Sequence, residues 1–178
     1  MELRKIAFLE TYTLDNDAGI MGAILVTDSD TKPLEFRVTA PIKPTNFQRT
    51  LYGDVLLEHI LTELVSIPLL NAINEQIDLI LVRDPLFLGV NEKQGVRVIR
   101  ISSEENGHAR GGVKSAAEVL PSTNGSPKVF LETSKKFESE LSEIKSTLAS
   151  VSEHRNLIEP FDRLKVACEQ VHLQKTGE

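Results

Sequence analysis

Leu34–Val65 reads LEFRVTAPIKPTNFQRTLYGDVLLEHILTELV, and this stretch decides the fold class. LEFRVTAP alternates apolar and polar residues, the pattern of a half-buried strand. Ile42-Lys43-Pro44 turns the chain, and a helix starts at once. Thr45 is a good N-cap, and Gln48, three residues on, completes a capping box. Phe47, Leu51, Val55, Ile60, Leu61 and Leu64 then recur at helical spacing, which predicts a long helix to about Val65 with Leu51, Val55 and Leu64 toward a sheet. A strand that feeds directly into an amphipathic helix implies a helix laid across a sheet.

The flanking segments extend this plan. Ile6–Thr13 reads as a strand, and Gly19–Thr27 as a strand covered on both faces, with Gly22 marking a close backbone approach or a bulge. The Asp and Asn clusters at 14–17 and 28–31 are turns that favour antiparallel neighbours. Pro68 suits the first turn of a short new helix. Ile77–Val82 is the best central strand. From Gly95, VRVIRIS sets Val96 and Val98 on one face and Arg97, Ile99 and Ile101 on the other. Val129–Glu132 is a short strand. Lys135–Val151 is a helix with a narrow stripe of Phe137, Leu141, Ile144, Leu148 and Val151, and a second helix continues through Phe161, Leu164, Cys168 and Val171, capped by Asn156. The expected fold is α/β: a mixed five- or six-stranded sheet with a long helix on one face and a C-terminal helical pair. Residues 1–133 form the sandwich domain, with 103–127 as a long mobile loop because glycine, proline and polar residues dominate it. Residues 134–178 form a helical hairpin or dimerisation segment.

The 178 residues carry 20 Lys and Arg against 26 Asp and Glu, a formal net charge of −6. That balance argues against general nucleic-acid binding. One cysteine cannot build a disulfide framework, so a reducing, cytoplasmic setting is expected. No run reaches the roughly 18–20 apolar residues of a membrane helix.

Three constellations could carry chemistry. Glu10, Asp84 and Asp162 would matter if the element order, three antiparallel strands, a helix and a parallel strand, built a ribonuclease-H-like core. Carboxylates at adjacent strand ends can there hold Mg²⁺ for phosphodiester cleavage. Glu10 stands where such a fold places an Asp, and strand-end acids are more often turn formers. Gly107–Ser115 has glycines, Arg110 and Lys114, yet Val113 intrudes between Gly112 and Lys114 and breaks the phosphate-loop spacing. Lys43 and Arg49 lie by the start of the long helix, where anions are favoured. Lys43, Arg49, Arg110 and Lys114 are thus the anion-binding candidates. The four histidines have no metal-site spacing, and Cys168 sits on an apolar stripe. No metal or other cofactor is expected, Mg²⁺ entering under the nuclease reading alone. The residues favour a non-catalytic module that forms a homodimer through its C-terminal helices and takes a protein or small-anion partner. The alternative is a metal-dependent phosphodiesterase or nuclease.

Overall fold

The computed structural model describes residues 2–15, 19–92, 96–102, 115–120 and 129–175. Its seven strands are β1 (Lys5–Leu14), β2 (Gly19–Asp28), β3 (Pro33–Val38), β4 (Leu79–Val82), β5 (Val98–Ser102), β6 (Ser115–Leu120) and β7 (Val129–Ser134). They form one sheet in the order β3-β2-β1-β4-β5-β7-β6. β1, β2 and β3 pair antiparallel, β4 lies parallel to β1 and β5 parallel to β4, and β7 runs antiparallel to β5 and β6. This is the mixed α/β sheet expected. It holds one strand more, because Ser115–Leu120, read as loop, pairs with β7. The remainder of the expected 103–127 loop, with Arg110 and Lys114, lies outside the described residues.

Alternation splits the core into two layers. Ile6, Phe8, Leu79, Leu81, Ile99 and Ile101 face α2 (Leu141–Ser152) and α3 (Glu159–Lys175). Ala7, Leu9, Ile80, Val82 and Val98 face α1 (Asn46–Ala72). Phe8 meets Phe161 of α3 edge to face, 5.5 Å between ring centroids, a geometry that adds roughly 0.5–1.5 kcal/mol beyond area burial. Arg163 fastens α3 to the β2–β3 turn by donating to the Thr31 carbonyl at 2.7 Å and its hydroxyl at 2.9 Å.

The start of α1 follows the sequence. Gln48 N–H donates to Thr45 Oγ1 at 3.1 Å, and Thr45 N–H to Gln48 Oε1 at 2.9 Å, closing the capping box. Its inward face does not. Leu51, Val55 and Leu64 are 65%, 58% and 38% exposed, while Ile60, Leu61, Val65 and Leu69 are buried. Two irregularities shift the phase: Gly53, with φ of 53°, opens a 3₁₀ turn, and Ile60–Ser66 is a π-helical stretch. A π turn advances the chain by an extra residue, so spacing counted at 3.6 lands on the wrong side. Ser66 Oγ–H donates to the carbonyl of Leu61, five residues back, at 2.6 Å. The close approach inferred at Gly22 is real: a Cβ there would sit 2.4 Å from Val65 Cγ1. α1 is long and apolar enough to pass for a membrane span, contrary to expectation, a property that core helices share.

The C-terminal stripes also find their partner within the chain. Leu141, Ile144, Leu148 and Val151, and Phe161, Leu164 and Cys168, are buried in the layer under the sheet, and Phe137 is buried against Arg97 and Lys136. The apolar surface that argued for a homodimer through these helices is therefore covered by the chain's own strands.

Leu61 is fully buried, so Leu61→Ala is expected to cost about 2–5 kcal/mol in a reversible denaturant titration. Leu51→Ala, on the exposed half of the same helix, is expected to stay within about 0.5 kcal/mol.

Candidate nucleic-acid site at the strand ends

β1 and β4 run parallel with Leu9 opposite Val82, so the next residues of each, Glu10 and Arg83, emerge side by side where β4 ends and β1 runs on to Leu14. In open α/β sheets, ligands gather outside the carboxyl ends of parallel strands. Counting by two from Ile6 and Phe8 leads to Glu10 and Tyr12; counting from Leu79 and Leu81 leads to Arg83. All face α3.

Arg83 Nε–H donates to Glu10 Oε2 at 2.8 Å, and the Thr11 backbone N–H donates to Glu10 Oε1 at 3.1 Å. The guanidinium stacks over the Phe161 ring, 4.8 Å from its centroid. Arg100 Nε–H donates to the Arg83 carbonyl at 3.0 Å, holding the end of β4. Tyr12 O–H donates to the Phe161 carbonyl at 2.7 Å and seats α3 against β1. Over this pair opens a cleft of about 890 Å³, lined also by Asp15, Lys165, Glu169 and His172.

Burial raises the Glu10 carboxyl above the ordinary carboxylate range, opposed by the hydrogen bond and charge of Arg83; the charge of Asp84 pushes the same way as burial. Burial pushes the Cys168 thiol up to about 12, with Glu169 and Glu10 adding to it. A thiol so held is protonated at neutral pH and is no nucleophile.

The other candidates fall as follows. Asp84 lies within electrostatic reach of Glu10, but its Oδ1 accepts from the Leu86 N–H at 2.9 Å, the work of a turn former. Asp162 is exposed on α3, where its charge reaches Tyr12. Lys43 and Arg49 line a different cleft of about 830 Å³ with Asp54, on the α1 side of the sheet. Near that cleft the exposed Tyr52 stacks on His59, 4.5 Å between rings. Among the described residues no three His, Cys, Asp or Glu converge as a metal-holding group. No motif in the sequence singles out Arg83, although the period of two from Leu79 and Leu81 points to it.

No protein-family model matches this chain, and no curated protein sequence matches it. Its fold, however, is shared with solved structures. The crystal structure of endonuclease V from Streptomyces avermitilis superposes with a TM-score of 0.67 at 14% identity, covering 99% of this chain and 86% of that one. Endonuclease V from Bacillus subtilis gives 0.61 at 13% identity, covering 99% and 84%. The likeness is one of fold. It corrects two expectations, the non-catalytic self-associating or binding module and the exclusion of nucleic acid as a partner, since the solved structures that share this fold are endonucleases. Net charge misled because it averages over the whole surface, whereas recognition depends on local groups in a cleft.

The raised pKa of Glu10 fixes a pH dependence. A carboxyl with its folded pKa above the unfolded 4.5 favours folding when protonated. That contribution is complete below the unfolded value and is lost as pH rises through the folded one. Glu10→Gln is expected to flatten this component of a Tm-against-pH curve at pH values above the unfolded 4.5, relative to wild type.

Proposed function

We propose that this chain acts on nucleic acid as a nuclease, with the phosphodiester held in the cleft at the carboxyl ends of β1 and β4. The observation that supports this best is the convergence of Glu10, Arg83, Lys165 and His172 on one cleft at the central parallel strands of a fold shared with endonuclease V structures.

Mg²⁺ is the cofactor that belongs to this reading. The residues as arranged do not fit it. A hard cation needs several oxygens turned toward one point. Here both oxygens of Glu10 accept protein N–H groups and Asp84 Oδ1 accepts a third. No step is therefore drawn through a metal. The chain's own groups suffice to hold a phosphodiester: Arg83 offers a planar fork of donors, and Lys165 adds a point charge. Glu10, its pKa raised by burial, is able to carry a proton at Oε1 or Oε2, and the imidazole of His172 lines the same cleft.

Labelled single- and double-stranded DNA and RNA, incubated with the protein in Mg²⁺, in Mn²⁺ and in EDTA, test the reading. Cleavage is expected, reduced about 100-fold or more by Glu10→Gln. Intact substrates under every condition would refute it.

A further inference from the structure

We infer that Arg83 takes the place of a cation in this cleft, so that its guanidinium, and not a divalent metal, receives the phosphate of a nucleic-acid backbone. The inference rests on the nuclease-fold reading for its ligand class and goes beyond it in naming the group that binds.

Leu9 opposite Val82 makes residues 10 and 83 immediate neighbours across a parallel pair. Two acids at such neighbouring positions would form the start of a metal site. This chain has one acid and one arginine there, already joined by a charge-assisted hydrogen bond. The glutamate is the buried member, its side chain 10% exposed, and the arginine side chain is the accessible one, at 39%. Of this pair, a ligand entering the cleft therefore meets the arginine before the carboxylate.

Geometry then leaves that charge usable. Only the Nε–H of Arg83 is engaged among the described residues, on Glu10 Oε2. The Nη groups have no acceptor there. The Phe161 ring lies beneath the guanidinium and supports it, and the Arg100 bond to the Arg83 carbonyl fixes its origin. Such a donor fork, oriented before binding, matches two oxygens of a phosphate and loses little side-chain freedom on meeting them. Lys165 of α3 lines the same cleft. Asp15 and Glu169 line it too and oppose an anion. Both are exposed, where water and salt weaken their reach, whereas the Arg83 contact is direct.

Fluorescence anisotropy of a labelled oligonucleotide with the full chain tests this. Wild type is expected to bind equally in Mg²⁺ and in EDTA. Arg83→Gln is expected to weaken binding roughly tenfold or more, as loss of a charged hydrogen-bond donor does. Glu10→Gln, which strips the neutralising carboxylate from Arg83 but keeps the guanidinium, is expected to tighten it. A metal-holding Glu10 demands the opposite: binding that needs Mg²⁺ and weakens in Glu10→Gln. That result overturns the inference. If circular dichroism shows Arg83→Gln unfolded, the sign of the Glu10→Gln effect still decides. Chelator-resistant, Arg83-dependent binding without cleavage upholds the inference and defeats the nuclease reading. Cleavage that requires Mg²⁺ and survives Arg83→Gln does the reverse.

Discussion

The parallel pairing of β1 with β4 is the constraint on which the rest of this molecule depends. It joins an antiparallel meander to the second half of the sheet, buries both strands between two helical layers, and sets Glu10 against Arg83 where β4 ends. Parallel strands cannot be joined by a tight turn, so α1 is the crossover that makes the pairing possible. Each layer then has one task. α1 closes the face that carries Leu9 and Val82, and α3 closes the face from which the ion pair emerges.

An ion pair at that depth has a divided character. Burial disfavours the charged carboxylate, and Arg83 recovers part of the loss through a short, directed contact. Removing one partner strands the other, which is costlier than the pair itself is stabilising. The aromatic floor adds to this. Phe161 packs against Phe8 on one side and carries the guanidinium on another, so α3 is both core helix and wall of the cleft.

How much of this was legible in the sequence depends on whether a feature is local. The capping box of Thr45 and Gln48, the tight spot at Gly22 and the alternation of Val96 and Val98 against Ile99 and Ile101 are written in neighbouring letters, and all hold in the structure. Leu51, Val55 and Leu64 were placed on the wrong side because no local letter announces a π turn; burial of Ser66 and its bond to Leu61 show it only in three dimensions. Strand β6 was hidden because SAAEVL barely alternates and needs β7 to become a strand. At the site, Glu10 and the strand end at Asp84 were visible, but their relation was not. It follows from a pairing between residues more than seventy positions apart, and that register hands the contact to Arg83.

The π stretch at Ile60–Ser66 has a consequence of its own. It makes α1 a shaft with two angular settings. The rear segment is keyed to the sheet by Val65 against Gly22, while the forward segment, with Phe47, Leu51 and Val55, is indexed to a different direction. A single-residue deletion within the stretch would restore an ordinary helical pitch. The forward segment would then swing by about 100°, the angle of one residue, and carry its apolar side chains to a new bearing while the rear stayed seated. Insertions and deletions in this chain thus differ sharply in effect from substitutions: a lost letter at this point turns half a helix.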